Sequence, residues 1–347
     1  MNKAEFLARL QTALNPLKAQ EREDALAYYD EWIEDRMQDR EGPEEEAVAS
    51  LAPPEEIAAS ILENHSPQQE PREAPEAEGT RVMTADGDQV RRVMIRTKNT
   101  TVTIKPSESL EFTLRYTEDE YHSYDCVLDK GELSLELRPA VRFFNWRIGL
   151  IIRPRHTIEL SVPRDFAASI DAQTSNASLG MEGITLWGTL RLCTSNDKLQ
   201  AKNLEAKEID LHTSNSALTA QSLISGGTIA MKTSNGRVDA SELRAGKTLS
   251  IQTSNGRVNA DKLTGGVSIR IQSSNSPLHV SGLEANNLTL LTSNASISGS
   301  VKGSAADYTV HSGTSNAKNS LSEHKHSGEK ILDAHTSNGS IKLEFEG

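Results

Sequence analysis

Three groups of side chains in this sequence have types and spacings that could do chemistry. The first is a set of aspartates. Asp171 and Asp210 fall in one column of a repeat with Arg191 between them, and Asp239 falls in another. Carboxylates brought together could act as general acid and base on a glycosidic bond. An alternating Asp, Arg, Asp column instead reads as a surface ion ladder of small energetic weight. The second group is His324 and His326. On a strand both rings would face one side and could hold a metal, but SEHKHSGEK reads as a polar loop insertion. The third is RPAVRFFNWRIGLIIRPRH, where Arg142, Phe143, Phe144, Trp146 and Arg147 cluster. Arginines beside Trp and Phe, in a segment too short to span, suit a membrane interface or a partner. The competing reading is a β-hairpin that covers the open end of a core. No nucleophile elbow, phosphate loop or metal-ligand motif occurs. The reading therefore assigns no catalytic, cofactor-binding or metal residue and no cofactor, and it expects no enzyme.

The elements that position these residues follow from one tripeptide. Thr-Ser-Asn, once Ser-Ser-Asn, ends at Asn176, Asn196, Asn215, Asn235, Asn255, Asn275, Asn294, Asn316 and Asn338, at steps of 19 to 22 residues. A fixed period near twenty marks a solenoid. Six residues before each Asn stand Ile170, Leu190, Ile209, Ile229, Leu249, Ile269, Leu288, Val310 and Leu332. Three residues after it stand Leu179, Leu199, Leu218, Val238, Val258, Leu278 and Ile297. Within each segment the apolar step is two, the period of a strand. The sequence predicts a mainly β fold: a single-stranded parallel β-helix, right-handed as parallel crossovers are, plus a small N-terminal helical bundle. The asparagines become corner residues, able to take the left-handed backbone and to bond amide to amide up the stack. The threonine is in phase with the inward column and should cap the corner backbone.

Four segments follow: an acidic helical domain over 1–64, a Pro- and Glu-rich linker over 65–80, a non-repetitive β cap over 81–165 and the repeat over 166–347. Asn2 with Glu5 marks a helix start, and Phe6, Leu7, Leu10 and Leu14 give it an apolar stripe. Further helices carry Leu26, Tyr29, Ile33 and Met37, then Val48 and Leu51, then Ile57, Ile61 and Leu62. Tyr28 and Trp32 lie on a neighbouring face. In the cap, strands are expected over 90–96, 101–105, 110–116, 124–128, 133–137 and 158–162. The net charge of −12 belongs to the head: residues 1–80 hold 7 Lys plus Arg against 20 Asp plus Glu. Neither part has the basic surface of a nucleic-acid binder. Cys126 and Cys193 give neither a disulfide framework nor a zinc spacing. There is no export signal and no apolar run of spanning length, which reads as cytoplasmic.

The two halves also resemble known families. YYDEWIEDR followed by EGPEEEAVASLAPPEEIAASIL is similar to the bacterial HAAS helical signalling domain over about residues 3–63, with Ala52 and Pro53 departing mildly from its pattern. From about Val90, the strand IELSVP and the repeated x-Leu-x-Ile-x-Thr-Ser-Asn-Gly-x-Val resemble the bacterial "putative adhesin" β-strand-repeat domain of unknown function. That resemblance implies a β-helix without an established common activity, and for some relatives a place in cell-envelope stress signalling. The resulting expectation is a non-enzymatic scaffold that meets protein partners through its acidic head, at the inner face of the membrane with peripheral contact. The alternative is an extracellular adhesin or carbohydrate-binding solenoid, and third stands a carbohydrate-active β-helix enzyme.

Overall fold

The computed structural model describes residues 1–17, 22–23, 25–26, 29–30, 33, 48, 51, 53–64, 79–119, 122–138, 156–163, 165–166, 168–321 and 327–347. They fall into two compact units, one containing Met1–Glu76 and the other Ala77–Arg138 with Arg153–Gly347.

In the head, α1 (Lys3–Ala13) begins where the Asn2 side chain accepts the Glu5 N–H at 2.8 Å. This satisfies one of the donors left over in a first helical turn. Its stripe buries Phe6, Leu10 and Leu14 against Tyr29, Ile33, Val48 and Ile57. The Phe6 and Tyr29 rings lie 6.0 Å apart. A second helix, α2 (Pro54–Asn64), starts on a proline, which lacks the N–H that would have no partner there. Tyr28, Trp32, Met37 and the linker over 65–78 lie outside the described residues.

The second unit is built by parallel pairing at the offset of the repeat. Leu190, Ile209, Ile229, Leu249, Ile269 and Leu288 are successive register partners. So are Leu179, Leu199, Leu218, Val238, Val258, Leu278 and Ile297. All are buried. Like side chains therefore stack on like at the strand spacing of roughly 4.8 Å, and one continuous core runs the length of the unit.

Its N-terminal end contains β1 (Gly79–Asp86), β2 (Arg92–Arg96), β3 (Thr101–Ser107), β4 (Glu111–Glu118), β5 (Tyr124–Asp129), β6 (Glu132–Leu137) and β7 (Thr157–Pro163). The last six match the strands expected from sequence; β1 was not expected. β4 lies antiparallel between β1 and β7, and β5 and β6 form a hairpin. β2 and β3 differ from the expectation of a cap without repeats. They pair in parallel with Ser169–Gln173 and Leu179–Met181, placing Val93 on Ile170, Ile95 on Ala172 and Val102 on Leu179. They form a turn of the same stack. The sequence hides it because Asn99 follows Thr-Lys, not Thr-Ser, and lies 77 residues before Asn176.

The C-terminal end departs from chain order. Lys330–His335 pairs on one side with Asn287–Leu291 and on the other with Tyr308–Gly313. The final turn is thus inserted between the two that precede it, and the Asn316 turn ends the stack.

Candidate functional site

The repeated tripeptide forms an amide ladder. Along the order Asn99, Asn176, Asn196, Asn215, Asn235, Asn255, Asn275, Asn294, Asn338 and Asn316, each Nδ2 after the first donates to the Oδ1 of the rung before it. In the middle of the stack the bonds are 2.7–2.8 Å. The asparagines sit on bends as expected, but only Asn99 and Asn176 take positive φ, at 56° and 55°. The left-handed residues lie seven positions later, at Gly183, Asn203, Ser222, Glu242, Lys262 and Gly282. The amides hold the first corner by hydrogen bonds, and the sharper backbone turn falls at the next corner.

The threonines face inward. Thr174, Thr194, Thr213, Thr233 and Thr253 are at most 3% exposed. Thr253 Oγ1 accepts the Gly256 N–H at 3.0 Å and donates to the Ser234 carbonyl at 3.4 Å. Thr233 does the same with Gly236 and Ser214. A hydroxyl inside an apolar column must be bonded or it destabilises the fold. These hydroxyls bond the corner backbone, so they do not form an outward binding array.

The aspartates are each engaged separately. Asp171 takes a two-pronged bond from Arg96, at 2.9 and 2.6 Å, with Arg92 at 3.8 Å. Arg191 reaches Asp210 at 3.7 Å. Asp239 is held by Arg237 at 2.6 Å and by Asn259 at 2.7 Å. Arg191 lies in register between Asp171 and Asp210, as the ion-ladder reading expects. Burial pushes the Cys126 and Cys193 thiols up and the His212 imidazole down. Arg142, Phe143, Phe144, Trp146, Arg147, His324 and His326 lie outside the described residues. Among the described residues no helix is long and apolar enough to cross a membrane.

Sequence reasoning missed one cluster. Asp119 and His122 occupy the turn between β4 and β5, and His156 immediately precedes β7. The turn is closed by Asp119 N–H to His122 O at 3.0 Å and by His122 N–H to Asp119 Oδ1 at 2.7 Å. His122 Nδ1 lies 3.2 Å from Asp119 Oδ1, and His156 Nε2 lies 2.9 Å from Asp119 Oδ2. The two rings stack with centroids 4.0 Å apart and planes tilted 30°. His156 is 7% exposed, and its Nδ1 is buried without a hydrogen-bond partner among the described residues. Such an atom costs about 1–3 kcal/mol. The local signal was Asp-x-x-His; the third member stands 34 residues further on, beyond the reach of spacing rules.

A shallow groove of about 550 Å³ runs over the last turns, lined by Ser274, Ser293, Ser315, Ser337 and His335. It is polar and open.

The sequence pattern of a family described as Toastrack DUF4097 matches residues 90–344, and that of HAAS matches residues 5–60. A comparison with curated proteins finds no match. Among solved structures, a "putative cell adhesion protein" from Clostridium sporogenes is 8% identical, with 77% of this chain and 99% of that chain covered and a TM-score of 0.25. A "putative adhesin" from Bacteroides fragilis is 10% identical over 77% and 98%, with a TM-score of 0.31. Another from Parabacteroides merdae is 11% identical over 77% and 95%, also with a TM-score of 0.31.

Proposed function

The chain belongs to the Toastrack DUF4097 family and carries an N-terminal HAAS domain, and from that premise we propose a non-enzymatic scaffold. Its parallel stack is a right-handed β-helix that presents one repetitive surface, and its acidic head recruits a protein partner in envelope-stress signalling at the inner face of the membrane. One observation carries this reading. The chemistry of the repeat is turned on itself, with threonines bonded inward and asparagines bonded to one another. The aspartates are likewise spent on neighbouring cations. What remains of the repeat, among the described residues, is a long surface whose aspartates Asp171, Asp210 and Asp239 are each occupied by a cation.

Affinity capture with the full chain and with a chain lacking residues 1–64 tests it. Proteins retained by the first and lost by the second are the expected result; identical sets, or none, would remove the reading's support. The membrane contact has its own arm. Binding to anionic vesicles should fall on Trp146→Ala with Arg147→Glu, and unchanged binding rejects that contact. The hydroxyl-lined groove favours a second reading, an adhesin or carbohydrate-binding surface. Glycan binding that disappears on Ser293→Leu would establish it. Glycan turnover abolished at Asp210 or Asp239 would be needed for an enzyme.

A further inference from the structure

We propose that Asp119, His122 and His156 form a binding site for a divalent first-row transition metal of the zinc(II) class. The donor set is the first reason. Two imidazoles and one carboxylate suit zinc, cobalt, nickel or iron(II), and suit magnesium or calcium poorly. With both rings neutral the set carries one negative charge to offset the cation.

Geometry is the second reason. Ligands about 2.0 Å from a tetrahedral metal stand roughly 3.3 Å from one another. The ring nitrogens lie 3.2 Å and 2.9 Å from the Asp119 oxygens, and one ligand atom from each residue fits within 4.8 Å of the other two. With each neutral ring carrying its one proton on the nitrogen turned away from Asp119, a cation would find His122 Nδ1, His156 Nε2 and the carboxylate close to their final places. The stacked rings each turn one nitrogen, His122 Nδ1 and His156 Nε2, toward the same carboxylate.

The third reason is that the scaffold holds the donors before any metal arrives. Asp119 and His122 are fixed by the backbone bonds that close their turn. His156 is fixed through its carbonyl, which accepts the Thr101 N–H at 3.0 Å at the start of β3. The His156 ring is held among the described residues by Asp119 and by contact with His122. A metal–nitrogen bond would anchor it far more firmly. Three protein ligands with Asp119 and His122 only half-buried leave a fourth position for water or an incoming ligand, the arrangement of an open site. The bound metal would clamp the β4–β5 turn to β7 across 34 residues of chain.

The test uses the full chain without a polyhistidine tag, stripped with chelator and titrated with zinc(II) in a calorimeter. One equivalent should bind, and the melting temperature should rise by on the order of 5 °C at a hundredfold excess over Kd. His122→Gln, a half-buried position, should weaken binding at least tenfold and abolish the shift. The double variant His324→Gln with His326→Gln should bind as the unaltered chain does. Binding that survives His122→Gln, binding lost with His324 and His326, or no binding at micromolar zinc would each overturn the site. Should His122→Gln fail to fold, cobalt(II) added to the unaltered chain decides. Intense visible absorption from a low-coordinate cobalt site supports the proposal, and the spectrum of the aquo ion refutes it.

Discussion

Replacing Thr253 by Val should destabilise the protein more than replacing Asn255 by Ala, although the asparagine makes the shorter bonds. Asn255 donates to Asn235 at 2.8 Å and accepts from Asn275 at 2.8 Å. Both bonds are exposed, so water takes over the freed groups. With each worth at most the low end of the usual 0.5–1.5 kcal/mol, Asn255→Ala should cost about 0.5–1 kcal/mol. Thr253 is 3% exposed, and its hydroxyl is the acceptor for the buried Gly256 N–H. Val fills the same space but leaves that N–H without a partner, a penalty of about 1–3 kcal/mol. Burial of a methyl where the hydroxyl stood returns part of this, up to ~0.8 kcal/mol. A net loss of about 0.2–2.2 kcal/mol remains, centred at ~1.2 kcal/mol. Urea unfolding followed by far-UV circular dichroism reads both variants, compared by midpoint at constant slope. A cost for Asn255→Ala equal to or above that of Thr253→Val would refute the argument that burial, not bond length, sets the weight of the tripeptide's two polar members.

A Cβ on Gly256 would stand 1.7 Å from the Gly236 carbonyl oxygen, whereas one on Gly180 meets nothing within 4 Å. Gly256→Ala should therefore cost about 2–3 kcal/mol through forced displacement of the backbone, and Gly180→Ala should be neutral or stabilising by up to ~1 kcal/mol, both read by urea melts. Burial raises the Tyr116 and Tyr308 phenols to about 12, so the folded state keeps protons that the unfolded state releases near pH 10. The stability these phenols contribute is complete below pH 10 and is lost as pH climbs to about 12. Burial raises the Tyr124 phenol as well, so the late-titrating tyrosinate absorbance should lose one chromophore in Tyr116→Phe and one in Tyr308→Phe.

Period and column made the parallel stack legible, because Leu190 over Ile209 over Ile229 is a pattern only one pairing register satisfies. The inward threonine was legible for the same reason, being in phase with Leu and Ile. The left-handed corner was not. Its occupants include Asn203, Ser222, Glu242 and Lys262, which share no side-chain property; the neighbouring turns impose the conformation there. Asn99 escaped notice because a rung needs only the amide and an inward threonine two residues before it, and Thr97-Lys98-Asn99 supplies both without the serine. The acid–histidine cluster was invisible because folding, not spacing, brings His156 to Asp119.

The order of the last two turns shows what the tripeptide does and does not encode. Asn316 and Asn338 have equivalent corners, and the ladder would close with either one outermost. The inward columns break the tie. The Asn338 turn offers Leu332 and Ala334, both fully buried, and the Asn316 turn offers Val310 and Ser312, both only half-buried. A turn with neighbours on both sides must be apolar at both positions, since a buried serine without a partner would be costly. A turn at the end of a stack faces solvent on one side, and polar end turns are what keep repeat arrays soluble and unpaired. Ser312 therefore belongs on the outermost turn, and the chain satisfies this by passing its final segment back between the two before it. Thr-Ser-Asn marks a segment as a turn, while the residues four and six positions earlier fix where in the stack that turn can lie.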